Sequence, residues 1–228
     1  MTRYIGNFFL LHIIILLFST LQAQNNSKKT NFRLNGFSGG MALHTGYLYA
    51  GTPIFSTIDG IALNGEKVHG APMGIGGALK LHFGRHFRIG GEGYSSTLVY
   101  GKAKNRWSLG WGGLLVDSHW QIKKWELFAG GTAGFGAVRH LVLLDANPND
   151  LQIEVQSVYR KYSVVILVPF AGVEYAFTEK MRLYLKLDYA FNISNRQPDF
   201  AEGLRVYLGF SFYHKSDRKQ YNNVENIK

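Results

Sequence analysis

Four carboxylates, Glu92, Glu126, Glu174 and Asp188, stand in segments whose side chains alternate between apolar and polar. Paired carboxylates are the residue types of general acid and base catalysis. Each comes, however, with basic neighbours, Lys80, Arg88, Arg182, Lys186 and Arg205, and ion pairing explains such a set more simply. Both signs in a narrow interior neutralise one another and avoid the large cost of unpaired buried charge. The nine residues together therefore predict a structural charge network rather than a conduction path. His44, His82, His119 and His140 fall on different segments without HExxH or another dense ligand spacing, so no metal and no cofactor is expected. Asp117, Ser118 and His119 contain the types of a hydrolytic triad. Three adjacent residues cannot converge as separate elements must, so no catalytic residue is assigned. The glycine clusters Gly74, Gly76, Gly77 and Gly130, Gly131, Gly134, Gly136 lack the GxxxxGK[ST] and GxGxxG forms of nucleotide loops.

The elements that must position these residues are strands. From Met181 to Phe191, the residues Met181, Leu183, Leu185, Leu187, Tyr189 and Phe191 share one face, and Arg182, Tyr184, Lys186, Asp188 and Ala190 the other. The last strand repeats this, with Leu204, Val206, Leu208, Phe210 and Phe212 opposite Arg205, Tyr207, Gly209, Ser211 and Tyr213. Alternation also runs through Phe37–Tyr49, Met73–Phe83, Phe87–Val99, Trp107–Ile122, Trp125–Ala137 and Val165–Tyr175. Trp107, Leu109, Trp111 and Leu115 read as an outward apolar face that breaks at Asp117 to His119, where a β-bulge would turn Trp120 and Ile122 outward. Pro169 calls for a further bulge, because a closed sheet needs every ladder donor.

Three features turn this pattern into an expectation of an all-β fold, an eight-stranded antiparallel transmembrane β-barrel. The polar faces are crowded with Gly, Ala, Ser and Thr, which suit the narrow lumen of such a barrel. Tight turns near Arg85, Lys123 and Glu179 alternate with long connections at 51–70, 143–159 and 192–203, as in outer-membrane barrels. Aromatics form two girdles: Phe83, Phe87, Trp120, Trp125, Tyr175, Phe177 and Phe212 beside the turns, and Tyr47, Tyr49, Trp107, Tyr189 and Phe191 beside the loops.

Residues 1–23 read as an export signal, with Arg3 before an apolar run from Phe8 to Phe18 that is too short for an ordinary spanning helix. The expected barrel occupies 24–213 and a polar basic tail 214–228. The chain has no cysteine, which excludes disulfides and thiolate metal sites. Its formal charge of +10 is spread along the sequence. Anionic lipid headgroups or periplasmic polyanions fit that better than nucleic acid, whose binders concentrate charge on one face. With lipid outside and side chains inside, recognition of a surface or envelope partner falls to the long loops, where Phe55, Ile58, Lys67, Asp145 and Glu154 are the candidates.

The signal end Leu21, Gln22, Ala23 and Gln24, the run Tyr175 to Met181 (YAFTEKM) and the closing strand resemble the small outer-membrane β-barrel proteins of Bacteroidetes, within the OmpA-like and OmpX-like group. The resemblance implies an outer-membrane location and a structural or adhesive, non-enzymatic role. A narrow transport or ligand-binding barrel and a lipid-modifying enzyme are the alternatives. Those barrels often end at the final aromatic, whereas here Phe212 is followed by the basic tail.

Overall fold

The computed structural model describes residues 33–51, 57–58, 61–62, 67–102, 104–143, 157–194, 197 and 199–215, with side chains left out at 57–58 and 61–62. The expected signal, Phe55, Asp145, Glu154 and the tail from 216 onward lie outside the described residues. The chain divides into Met1–Arg33 and Leu34–Lys228, and the strands among the described residues belong to the second unit. They are β1 (Leu34–Tyr49), β2 (Thr57–Ile58), β3 (Ile61–Ala62), β4 (His69–Gly70), β5 (Met73–Phe83), β6 (Phe87–Tyr100), β7 (Asn105–Ile122), β8 (Trp125–Leu143), β9 (Ser157–Ala176), β10 (Met181–Tyr189), β11 (Phe191–Asn192) and β12 (Glu202–Lys215).

Each long strand pairs antiparallel with the next in sequence from β5 to β10, β10 pairs with β12, and β12 pairs with β1, which returns to β5. The short β4 and β11 bring the sheet to ten strands, and β2 and β3 form a separate hairpin. The result is an imperfect ten-stranded ring, which corrects the expectation of a clean eight-stranded barrel.

One irregularity is a bulge at Asn35, where the β1–β5 register shifts between Leu34 and Gly36; proline accounts for two others. Asp188 pairs with Phe170 and Phe191 with Leu167: three residues forward on one strand match three back on the other, so the register is unshifted. The ladder is lost only around Pro169, which has no N–H to donate. Pro169 itself stays in register with Gly131 on its other side, so the expected bulge is absent. In the same way β1 pairs with Gly74 through His44 and with Gly70 through Leu48 in one register. That ladder is interrupted across Ala71 and Pro72.

A second correction concerns β7. Its pairing with β6 and β8 runs without a break from Asn105 to Ile122, so there is no bulge at Asp117. Trp107, Leu109, Trp111 and Leu115 are buried and face inward, in phase with Asp117, while Leu114, Val116, Trp120 and Ile122 are exposed. Trp107 therefore leaves the outer girdle. Elsewhere the outward faces carry the expected apolar residues, among them Met41, Leu43, Leu79, Phe135, Leu185, Leu208 and Phe210. The turn end of the ring is closed by tight connections. At Lys123 and Lys124 two residues suffice, with Lys123 at φ 57°, the left-handed conformation that such hairpin turns require.

Candidate functional site

The inward side chains form three layers. Nearest the tight turns, three cations, Lys80, Arg88 and Arg182, face three carboxylates, Asp117, Glu126 and Glu174. Strand register dictates this arrangement. Arg88 is the direct cross-strand partner of Asp117 and grips it bidentately, Nε to Oδ1 at 2.5 Å and Nη2 to Oδ2 at 3.0 Å. Glu126 and Glu174 are also direct cross-strand partners, a like-charge pair that is destabilising when left alone. Arg88 Nη1 resolves it by donating to Glu126 Oε1 at 2.7 Å and to Glu174 Oε1 at 3.1 Å. Arg182 donates to Glu126 from the other side and lies 3.5 Å from Glu174. Lys80 lies 3.2 Å from Asp117 and 3.8 Å from Glu174, and its ammonium sits 4.7 Å from the centre of the Phe128 ring. Arg88 is 0% exposed.

Above this layer Lys186 Nζ donates to Glu92 at 2.8 Å, Thr132 Oγ1 donates to the other Glu92 oxygen at 2.6 Å, and Arg205 Nε donates to Asp188, its cross-strand partner, at 2.7 Å. Aromatic rings surround these pairs. Lys186 Nζ lies 4.4 Å from the Tyr207 centroid and 4.7 Å from that of Tyr94, and Arg205 lies 5.5 Å from Trp111. Charges held this way are desolvated yet matched in number, two cations to two carboxylates.

The loop-side layer is apolar: Leu98, Trp107, Leu109, Val138, Val164, Ile166 and Val168 are buried there with Val68. The connection before β12 folds onto it. Phe200 is buried with its ring 6.5 Å from Trp107, and the buried Asp199 lies 3.4 Å from Arg160, which also donates to Gln197. A cavity of about 20 Å³, lined by Lys80, Glu92, Tyr94, Phe128, Glu174 and Lys186 among others, has room for about one water.

All nine residues expected in the charge network thus point inward, and the structure groups them as six and four once Asp117 is added. Asp117 escaped sequence reasoning because it was assigned to a bulge. Continuing the alternation unbroken from Trp107 would have found it. Of the loop candidates, Ile58 lies in β2, paired with Ile61. Lys67 is exposed, with its carbonyl accepting from His69 Nδ1 at 3.0 Å. Phe55, Asp145 and Glu154 are not described.

Two serine–histidine pairs were also missed. His44 Nε2 lies 2.5 Å from Ser96 Oγ and His82 Nε2 lies 2.8 Å from Ser38 Oγ. Each has the spacing of a nucleophile and base. Ser38, Ser96 and both histidines are buried, however, and His44 Nδ1 meets no orienting partner. The His44 ring instead packs against Tyr207 at 4.6 Å. Among the described residues, no three His, Asp or Glu side chains gather as metal ligands.

No protein-family model matches this chain, and no curated protein matches it. Among solved structures it resembles the outer membrane protein OprG from Pseudomonas aeruginosa at 11% identity, with 82% of this chain and 99% of that one covered and a TM-score of 0.50. The attachment invasion locus protein Ail of Yersinia pestis, in complex with the heparin analogue sucrose octasulfate, aligns at 13% identity over 79% of this chain and 100% of that one, TM-score 0.49. Neisserial surface protein A aligns at 11% identity over 79% and 96%, TM-score 0.49. At 11% identity the likeness to OprG is one of fold.

Proposed function

We propose that the chain is an outer-membrane protein whose ring of strands is a closed, non-enzymatic scaffold carrying a recognition surface at its loop end. The observation that carries this reading is the inversion of the ordinary globular pattern. Arginines, lysines and carboxylates fill the interior, and large apolar residues cover the outside: Leu114 is 73% exposed and Phe135 75%. Exposed apolar surface of this extent would drive a water-soluble monomer to aggregate. Hydrocarbon is its natural solvent, and because β12 pairs with β1 and β1 with β5, most backbone groups of the long strands are paired within the sheet.

The dimensions support the same reading. From Trp125 to Phe135 along β8 is ten residues, about 33 Å of strand at about 3.3 Å each. At a tilt of about 40° that spans about 25 Å, the height of the apolar band of outer-membrane barrels. Trp120, Trp125, Phe177 and Phe212 cluster at the turn end of that band and Tyr47, Tyr49 and Phe191 at the loop end, where amphipathic rings meet headgroups.

A filled interior argues against transport, since the paired charges and the plug of Trp107 and Phe200 occupy it. Burial of both serine–histidine pairs argues against hydrolysis. What remains free to vary in shape is the loop rim, the usual seat of recognition on a rigid scaffold. The test is reconstitution into planar bilayers and vesicles: the protein should float with the vesicles and show no steady channel. Large, steady single-channel conductance from monodisperse protein would overturn the closed-scaffold reading, and failure to float would overturn the membrane reading.

A further inference from the structure

Where the apolar band ends on the loop side, the outer wall of β7, β8 and β9 carries Arg106, Arg139 and Lys161, all exposed. Arg139 and Lys161 are direct cross-strand partners. Arg106 stands opposite Leu141, one outward position from Ser108, the partner of Arg139, and so is diagonal to Arg139. Directly opposed like charges destabilise a sheet, and among the described residues no carboxylate on the wall relieves them. The outward positions of β6 to β9 run through Ile89, Ser95, Thr97, Val99, Leu114, Phe135, Ala137, Ser163 and Val165 to Tyr175 without a single carboxylate. The interior shows the opposite practice, since there every cation is matched to an acid. Three cations left unmatched in register, beside the hydroxyls of Ser108 and Ser163, make a site that lacks its anion.

Position in the membrane supplies that anion. Arg139 lies four residues past Phe135, about 13 Å of strand and about 10 Å along the membrane normal at the usual tilt. Long basic side chains at that level reach back to the headgroup layer. Below them Gly110, Ala137 and Ser163 form one cross-strand row of small residues, and a Cβ at Gly110 would meet open space, which leaves a shallow bed for an acyl chain beneath the charges. Resting on the membrane reading above, we infer that Arg106, Arg139 and Lys161 form an outer-wall site for the phosphate groups of a lipid in the leaflet at the loop end.

The test uses the full chain in nanodiscs of phosphatidylcholine with or without bisphosphorylated lipid A, and native mass spectrometry to count retained lipid. The triple variant Arg106→Gln, Arg139→Gln, Lys161→Gln should lose at least about tenfold in retention, given that each cation near an anionic headgroup contributes substantially. Arg85→Gln, Lys123→Gln, Lys124→Gln, which removes the same charge at the turn end, should retain lipid as the parent does, and dephosphorylated lipid A should not be retained. A second readout separates binding from mere structure. Because Arg139 and Lys161 repel each other when the only phosphates present are the choline-neutralised phosphodiesters of phosphatidylcholine, Arg139→Gln should raise the Tm in pure phosphatidylcholine and lower it when the lipid with anionic phosphomonoesters is added. Equal losses in the two triple variants, or a Tm change of one sign in both lipids, would overturn the site. So would stabilisation of the protein in neutral detergent by inorganic phosphate to the same extent as by lipid A, since the ligand would then be the free ion. If the parent chain does not enter nanodiscs at all, the membrane reading itself fails, and that outcome is distinct from the others.

Discussion

Replacing Arg88 with methionine tests the logic of the interior most directly. The substitution keeps an unbranched apolar stem while removing four hydrogen bonds, two to Asp117 and one each to Glu126 and Glu174. Removing one partner of a buried ion pair costs about 3 to 5 kcal/mol, because the charge left behind is still desolvated. Two circumstances put the cost near the lower end. Lys80 continues to hold Asp117 at 3.2 Å, and Arg182 continues to hold Glu126 and lies 3.5 Å from Glu174. Asp117, which loses both of its short arginine contacts, is the group most exposed to the change. The double variant Arg88→Met, Asp117→Leu should therefore be more stable than Arg88→Met alone, by about 1 to 3 kcal/mol, the desolvation of one unpaired buried group. Lys80 tolerates the loss of Asp117 because it is partly exposed and keeps Glu174 nearby. The assay is urea-induced unfolding in lipid vesicles followed by tryptophan fluorescence, with Trp107 and Trp111 reporting from the interior. A loss below about 1 kcal/mol for Arg88→Met, or a double variant weaker than the single one, would refute the view that this cation bridges three carboxylates.

Three further outcomes are expected. Leu185→Arg, on the outward face of β10, should destabilise the protein by about 2 to 4 kcal/mol in vesicles if it lies near the midplane, whereas Ser157→Arg at the exposed loop end should change little; equal shifts would reject the assigned facing. Phe200→Ala should cost about 3 kcal/mol through loss of packing against Trp107, measured by the same unfolding assay, and unchanged stability would show that the segment does not plug the mouth. Replacing 51–70 and 143–159 with short Gly and Asn turns should leave insertion and protease resistance intact and abolish binding to an envelope or surface partner; a partner bound with unchanged affinity would remove the loops as the recognition surface.

Side-chain period made most of the strands legible. It gave β5 its bounds to the residue and placed nine charged side chains on inward faces, because a strand shows its two faces in any sequence that treats them differently. It failed where both faces are apolar. On β7 the inward Trp107, Leu109 and Trp111 look like a lipid-facing run, and the outward positions Gly110 and Gly112 look like packing glycines. Hydrophobicity cannot distinguish a plug that excludes water from a wall that meets lipid, since both are removed from water. The useful signal was Asp117. A carboxylate is costly in either environment without a partner, so the strand face that contains it must be the one where Arg88 waits, and extending that face backwards by twos turns the tryptophans inward with no bulge. Proline offers the complementary lesson. On sequence alone Pro169 calls for a bulge, whereas the backbone keeps its register and forgoes one stretch of ladder. Shifting the register would have turned every side chain beyond it to the opposite face, including Ile166 and Val164, which are buried in the loop-side plug. Losing a hydrogen bond costs about 1 kcal/mol, while exposing that plug would cost several, and the strand break at β10 and β11 follows from that inequality.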